Sequence, residues 1–360
     1  MLLRMRSAMS ELRQKERLWY IDYLRITAII AVVTIHISAQ VVRIAEIGSF
    51  PWVSAVFYNS ISRWGVDVFV MISGALFLDP SKNRGIRAIY SKNLLRIVTA
   101  FLFWSAVYAA VDYLNGVRLM KVFRHFVYGG SHLWYLYMIA GLYLIVPILR
   151  RITESEKITK YYLILWFVFS IAYYTLKSLF ACVDVRISEI IERVWNESSL
   201  YFVYSYTGYF ILGHWLCQND MPKKYRRIVY AIGCFGAAST ILLTVLVSRK
   251  DGSLDETFLE YFSANVMFEA VAVFVFIKYH TPEIRSEITK KTVLLLSKCS
   301  FGVYLVHFLI MHLLKKYLGI SALSFHPLLS VPLIGGLVLA LSYCVSYLLN
   351  KIPVIKKYIV

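Results

Sequence analysis

The sequence is short of charged residues, and of acidic residues most of all. Charged residues make up 17% of its 360 positions, against about 25% in soluble domains. Only 21 residues are acidic, whereas 39 are basic. Hydrophobic residues make up 59%, and the mean hydropathy is +0.62. This composition excludes an ordinary soluble domain, because so much apolar surface has to face something other than water.

Cysteine patterns, repeats and long polar connections are also missing. The five cysteines show no spacing typical of a metal site or of a disulfide framework, so we predict no metal. The sequence has no internal repeat, no low-complexity segment and no connection long enough to hold a soluble domain. We therefore expect any chemistry to take place inside the apolar part of the chain.

What the sequence does contain is a series of long apolar runs. A membrane-spanning helix needs about 20 mostly apolar residues. The runs that meet this requirement are 19–42, 53–78, 94–114, 132–150, 161–181, 199–218, 227–248, 260–280, 292–314 and 328–349. We therefore predict an all-α fold, a polytopic membrane helix bundle over 19–349, with tails at 1–18 and 350–360.

The net charge of +18 would suit a nucleic-acid-binding protein, but its distribution favours a membrane protein. Lysine and arginine lie in short clusters between the apolar runs, mostly on alternate connections, as the positive-inside rule describes. We predict a multi-pass protein of the cell (inner) membrane, with membrane lipids and no nucleic acid as partners and both termini in the cytoplasm. Residues 184–197 are predicted to form an amphipathic helix on the outer surface.

The first span carries three ionisable side chains, which are costly in a bilayer and often mark function. They are Asp22, Arg25 and His36. Eleven positions separate Arg25 from His36, so a helix places both on one face with a rise of roughly 16 Å. Asp22 shares that face and can fix the guanidinium. Alternatively, Arg25 snorkels to the interface and His36 only hydrogen-bonds a neighbour.

Other spans also carry polar or small residues at membrane depth or at its edges. They are Arg63, Asp67, Ser73, Gly74, Arg96, His132, Trp134, Tyr135, Glu269, Tyr304 and His307. Arginines gather towards the predicted inner end and histidines in the predicted outer half. Arginine binds phosphate and histidine can act as a base, so a phosphate-rich donor entering from the cytoplasm would suit this pattern. Arg63 and Asp67, four residues apart, are expected to neutralise each other.

Several motifs in this order resemble the acyltransferase 3 family of membrane proteins across nearly the whole chain. The matching segments are Tyr20-Ile21-Asp22-Tyr23-Leu24-Arg25 with His36, residues 63–74, Leu95-Arg96-Ile97, His132-Leu133-Trp134-Tyr135-Leu136 with Tyr143 and Pro147, and residues 300–307. The family often has an acidic pair where this chain has Ile139-Ala140.

The resemblance implies one domain over 1–360 that moves an acyl group, commonly acetyl, from cytoplasmic acyl-CoA to a hydroxyl of an extracytoplasmic glycan or lipid-linked sugar. Within the family, the chain resembles the shorter members, which modify enterobacterial common antigen and similar surface polysaccharides. In the family, the histidine matched by His36 is the proposed catalytic residue. The predicted roles are catalysis by His36, Arg25, His307 and Tyr304, donor binding by Arg25, Arg96, Ser73 and Gly74, and acceptor binding by His132, Trp134, Tyr135 and Glu269.

Two alternatives from other classes remain open at this point. Aligned intramembrane charges also mark transport paths, so a transporter or flippase for a glycan or lipid is the main rival. Against it, the sequence shows no internal repeat and no paired spans interrupted by Gly or Pro. A non-catalytic sensor or scaffold is the other alternative. Neither the acceptor nor the oligomeric state is indicated by the sequence.

Overall fold

The computed structural model describes residues 18–79, 85–130 and 132–360. Within these ranges the chain forms helices joined by turns, and no strand occurs. The prediction of an all-α membrane bundle is confirmed. Most of the predicted N-terminal tail, residues 1–17, lies outside the described residues.

The helices are numbered here in chain order. They are α1 Trp19–Val42, α2 Phe50–Ser60, α3 Gly65–Phe77, α4 Ile86–Leu114, α5 Leu119–Tyr128, α6 Trp134–Thr153, α7 Glu156–Val183, α8 Val185–Glu197, α9 Thr207–Gln218, α10 Lys223–Asp251, α11 Ala264–His280, α12 Glu287–Leu318, α13 Pro327–Leu349 and α14 Pro353–Tyr358.

Nine helical stretches in the described part of the chain are long and apolar enough to cross a membrane. The sixth predicted span, 199–218, is not among them. Its helix, α9, covers only Thr207–Gln218, roughly 18 Å, whereas the hydrocarbon core is about 30 Å thick. The backbone at Ser199 has φ 54°, and residues 201–206 form turns.

Side chains of α7 explain how these turns are accommodated. Trp166 Nε1 donates to the Ser205 carbonyl at 3.1 Å, and Ser170 Oγ donates to the Val203 carbonyl at 2.8 Å. Backbone groups at membrane depth need such partners when the chain is not helical. Hydropathy alone shows an apolar run here and cannot show that side chains replace helical hydrogen bonds.

Helix α1 lies at the centre of the bundle. It packs against α2, α3, α11, α12 and α13, so a polar side chain on most of its surface meets protein rather than lipid. Asp22 is buried, and its carboxylate accepts a hydrogen bond from Ser297 Oγ of α12 at 2.6 Å.

The second predicted span is divided into two helices. α2 ends at Ser60 and α3 begins at Gly65, and Asn59 Nδ2 donates to Ile35 O and Ser38 Oγ of α1. Arg63 lies in the turn between the two helices. The geometry of an i,i+4 helical pair is therefore lost.

The expected pairing of Arg63 with Asp67 is consequently replaced. Arg63 Nη2 lies 3.9 Å from Glu256 Oε1, and Asp67 keeps only a longer-range attraction to Arg63. The Asp67 carboxylate is fully buried, and neither of its oxygens has a hydrogen-bond partner among the described residues.

The predicted amphipathic helix at 184–197 is confirmed as α8. Asp184 caps it by accepting from the Arg186 amide, and it also binds the Arg186 guanidinium at 2.8 Å. These hydrogen bonds hold the pKa of the exposed Asp184 carboxyl below its usual value. On the opposite side of α8, Trp195 is buried and stacks on Tyr173 of α7, with 4.7 Å between ring centroids.

The C-terminal residues, 350–360, which were predicted as a cytoplasmic tail, fold against the other helices. They contain α14, which packs against α4. Thr99 Oγ1 donates to the Tyr358 carbonyl, and Trp104 Nε1 donates to the Ile359 carbonyl at 3.3 Å. Val360 is buried. These residues are therefore part of the bundle.

Helices α3 and α9 approach each other through two glycines. A Cβ added to Gly74 would lie 1.7 Å from the Phe210 carbonyl oxygen, and a Cβ added to Gly213 would lie 2.0 Å from the Met71 carbonyl oxygen. Each helix thus presents a glycine to the backbone of the other. Small residues permit this close packing in membrane proteins.

Candidate active site

One cavity of about 650 Å³ lies between α1, α3, α4, α6 and α12. It joins an end lined by arginines, which we call the arginine end, to an end lined by histidines, which we call the histidine end. Its polar and aromatic lining residues are Arg25, His36, Phe69, Ser73, Phe77, Asn93, Arg96, His132, Trp134, Tyr135, Tyr143, Tyr261, Ser297, Lys298, Ser300, Phe301, Tyr304, Asn350 and Lys356. The face of α1 that carries Arg25 and His36 therefore faces a protein cavity, as the helical spacing predicts.

At the arginine end, two guanidinium groups face the same space. Arg25 comes from the first turns of α1, and Arg96 comes from α4. The Arg96 guanidinium carbon lies 5.0 Å from the centroid of the Phe301 ring, which restrains its plane, and Arg96 Nε has no hydrogen-bond partner among the described residues. Two guanidinium groups that line one cavity form a site suited to an anionic ligand.

At the histidine end, three imidazoles gather around one phenylalanine; they come from α1, from α12 and from the turn that precedes α6. The His36 and His307 ring centroids are 5.2 Å apart, and so are those of His132 and His307. Phe308 lies 4.7 Å from His36 and stacks on His132 at 4.4 Å. These histidines are 96 or more residues apart in the sequence; α1, α6 and α12 bring them together.

Hydrogen bonds to the backbone fix the orientation of this cluster. His307 Nδ1 lies 2.7 Å from the Tyr304 carbonyl. Because a carbonyl oxygen only accepts, Nδ1 carries the proton, and Nε2 is an acceptor in the neutral ring. No described residue hydrogen-bonds to that buried Nε2 or to His132 Nε2. The Tyr304 hydroxyl donates to the His132 carbonyl at 2.6 Å, which ties α12 to the start of α6.

Aromatic residues form the wall between the two ends. Tyr135 lines the cavity together with Ser73 of α3. Trp134 also lines it, with ring centroids 5.8 Å from Tyr261 and 6.0 Å from Tyr206. Flat aromatic faces beside a polar cluster are suited to contact with a sugar ring or a pantetheine chain.

The chain matches the family model described as an acyltransferase domain over residues 18–350, which is nearly its whole length. The chain belongs to the acyltransferase 3 family. It is therefore a multi-pass membrane protein of an acyltransferase family. No curated protein and no solved structure is significantly similar to it.

This acyltransferase places most of the predicted site residues on the one cavity. Arg25, His36, Ser73, Arg96, His132, Trp134, Tyr135 and Tyr304 line it, and His307 contacts it through the rings of His36 and His132. Ile139, at the position where the family often has an acidic residue, also lines it. This part of the wall is therefore apolar.

Two predicted residues of this acyltransferase lie elsewhere. Gly74 was expected to bind the donor, but it faces the Phe210 carbonyl in the α3–α9 interface. Glu269 was expected to bind the acceptor, but it is buried against α10, where its Oε1 accepts from Thr240 Oγ1 at 2.7 Å. Both placements depend on where α9 and α10 pack in the bundle. The periodicity of a single helix does not predict that packing.

The structure adds four residues to the site of the acyltransferase that the sequence did not single out. Phe308 separates two of the imidazoles, and Tyr108 holds its hydroxyl 2.7 Å from the Leu305 carbonyl beside His132. Lys298 and Lys356 line the arginine end. Phe308 follows His307 directly, which is a weak signal, whereas Lys356 looked like an ordinary cytoplasmic charge. Among the described residues, no three His, Cys, Asp or Glu side chains are placed to hold a metal ion.

Proposed function

We propose that the protein is an acyl-CoA-dependent O-acyltransferase of the cell (inner) membrane. It moves an acyl group, acetyl in the simplest case, from cytoplasmic acyl-CoA to a hydroxyl of an extracytoplasmic glycan or lipid-linked sugar. The observation that carries this proposal is the single cavity that joins Arg25 and Arg96 to His36 and His132. A donor and an acceptor can meet in it from opposite sides of the membrane.

The arginine end suits the donor because its charges match the phosphates of CoA. Arg25 and Arg96 face the cavity with Lys298 close by, and guanidinium groups bind phosphate oxygens bidentately. The pantetheine arm then runs along α1 past Ser73 and Tyr135. The helical rise of roughly 16 Å between Arg25 and His36 is the distance over which the arm carries the thioester.

The chemistry requires a base for the acceptor hydroxyl. His36 takes the hydroxyl proton, the oxygen attacks the thioester carbon, and the carbon–sulfur bond breaks to release the CoA thiolate, which takes up a proton. In the covalent alternative, His36 attacks first and the acylated imidazole hands the group to the hydroxyl. His307 packs beside His36 with its Nδ1 held by the backbone, which supports a positioning role in either route.

The histidine end suits a sugar acceptor. Trp134 and Tyr135 line the cavity beside His132 and offer aromatic faces on which a sugar ring can stack. The acceptor hydroxyl then reaches His36 while the rest of the glycan stays outside the bundle. The positive-inside pattern, which assigns this end to the extracytoplasmic side, supports the same direction of transfer.

The experiment uses purified protein in lipid nanodiscs with radiolabelled acetyl-CoA and a panel of lipid-linked sugars. His36→Gln is compared with the wild type and with His312→Gln, which changes a histidine of α12 that does not line the cavity. We expect His36→Gln to lose about 10²–10⁴-fold in rate, the usual contribution of a general base, and His312→Gln to keep full activity.

A contrary result would be clear in the same assay. Normal acylation by a folded His36→Gln variant would contradict the mechanism. Movement of a lipid-linked sugar across the bilayer with no acetyl-CoA consumed would instead favour a flippase.

A further inference from the structure

The C-terminal residues of the chain lie beside the arginine end of the cavity. α14 is held against α4 by the hydrogen bonds from Thr99 and Trp104 to the carbonyls of Tyr358 and Ile359. Two residues before the first of these contacts, Lys356 lines the cavity together with Asn350. The position of Lys356 is therefore set by the packing of α14.

Lysine side chains accumulate here without acidic partners. Lys356 and Lys298 of α12 line the same end of the main cavity, so two ammonium groups face one space. Neither forms an ion pair with a carboxylate among the described residues, and the sequence contains no Asp or Glu after Glu287. Two positive charges that face one space repel each other, and an anion bound between them would offset this repulsion.

A second, more open hollow of about 380 Å³ adjoins the first. It is lined by Asn350, Lys351, Pro353, Lys356 and Lys357, and we call it the lysine vestibule. Two of its residues, Asn350 and Lys356, also line the main cavity. The two spaces are therefore neighbours that a single extended ligand can occupy.

The other two lysines of the vestibule rest on aromatic rings. Lys351 Nζ lies 4.6 Å from the centroid of the Tyr347 ring, and Lys357 Nζ lies 4.7 Å from that of Tyr358. A cation–π contact restrains an ammonium group while leaving its N–H donors available. Lysine binds phosphate as a point charge, so three such groups around a hollow suit a phosphate monoester with its two negative charges.

We propose that the lysine vestibule binds the ribose 3′-phosphate of the donor nucleotide, while Arg25 and Arg96 hold its pyrophosphate. This inference rests on the proposed function, since it concerns the same donor. CoA carries one phosphate monoester on its ribose and one pyrophosphate next to the pantetheine arm. The order of the sites matches the order of the groups: vestibule, arginine end, arm and thioester.

The test compares CoA with dephospho-CoA, which lacks only the 3′-phosphate. Dissociation constants are measured by calorimetry on the full-length protein in nanodiscs. The triple variant Lys351→Gln, Lys356→Gln, Lys357→Gln is matched by Lys157→Gln, Lys223→Gln, Lys224→Gln, which removes three exposed charges that line neither hollow. Adenosine 3′,5′-bisphosphate serves as a competing probe, and a thermal melt checks that each variant is folded.

We expect the wild type and the matched control to bind CoA about tenfold more tightly than dephospho-CoA. In the vestibule variant this ratio should fall to about one, with the affinity for dephospho-CoA unchanged and the bisphosphate no longer competing.

Each other result is informative. A wild type that binds both compounds equally, or a vestibule variant that keeps the tenfold preference, would overturn the vestibule assignment and leave the proposed function standing. Failure of the wild type to bind either compound would overturn both.

Discussion

The Tyr304 hydroxyl illustrates how a side chain beside the reacting groups can act through another residue. It donates to the His132 carbonyl, so its proton is already engaged and it holds the histidine cluster together. The sequence predicted a catalytic role for Tyr304. The contact supports a positioning role for it instead.

We predict that Tyr304→Phe lowers kcat about five- to tenfold, because a hydrogen bond of this kind contributes about 1 kcal/mol. The KM for acyl-CoA should stay unchanged, since the site proposed for the donor phosphates lies at the other end of the cavity. Steady-state kinetics with varied acyl-CoA measures both values. Tyr90→Phe is the control, because it removes a hydroxyl that also bonds to a carbonyl, Leu144 O, but away from the cavity. A raised KM with normal kcat would contradict the positioning role.

For single residues, the sequence predicted that Arg25 and His36 share one face of α1, but it could not predict which side chains from other helices lie beside them. Helical periodicity is enough to align Arg25 with His36, because both belong to one helix. The contacts of His36 with His307, and of His132 with Phe308, depend on how α1, α6 and α12 pack. Lys356 was missed for the same reason, since only the fold of α14 brings it to the arginine end.

At the scale of helices, α3 and α9 show that a residue predicted to bind the donor, Gly74, can instead serve the packing of two helices. Gly74 and Gly213 permit contact between the two backbones. A glycine lets another backbone approach closely. The partner that approaches is a helix rather than a ligand.

We predict that Gly74→Ala destabilises the protein by about 1–3 kcal/mol or more, the usual cost of overpacking, because the new methyl group would overlap the Phe210 carbonyl. Gly141→Ala is the matched control: this glycine is also helical, but its Cβ would meet nothing within 4 Å. Thermal melts in the same detergent should show a clear loss for Gly74→Ala and an equal or slightly higher midpoint for Gly141→Ala. Equal midpoints for Gly74→Ala and the wild type would contradict the packing role.

The boundaries of the helices could be predicted only where a helix begins and ends with an apolar run of the sequence. The runs that became α1 and α13 were predicted to within one residue, whereas α4 begins eight residues before its predicted span and α12 extends beyond its span at both ends. The break between α2 and α3 and the short helix α9 were not predicted, because side-chain hydrogen bonds from Asn59, Trp166 and Ser170 replace helical bonds there.

For the whole molecule, the direction of transfer depends on which side each end of the cavity faces. The positive-inside pattern assigns the arginine end to the cytoplasm and the histidine end to the other side. The fold alone does not indicate which end of the cavity faces the cytoplasm.

We predict that single cysteines in a variant without the five native ones will reveal this orientation. Asp251→Cys, at the end of α10, should react with a membrane-impermeant maleimide in intact cells. Lys224→Cys, at the beginning of the same helix, should react only after the membrane is permeabilised. Both positions are exposed, so the comparison reports sidedness rather than burial. The reverse pattern would mean that the donor enters from the opposite side.

The glycine contact between α3 and α9 has a consequence for motion. Because their backbones are in contact at two points, we expect α3 and α9 to move as one rigid unit. Phe69, Ser73 and Leu76 of α3 line the cavity, so this part of its wall belongs to the rigid unit. If the passage widens to admit a bulky donor, we expect the movement in other helices that line the cavity, and first in α4 and α6. Those two helices are among the less buried of the bundle, so the surrounding lipid, and its thickness and fluidity, would help to set how fast the enzyme takes in its donor.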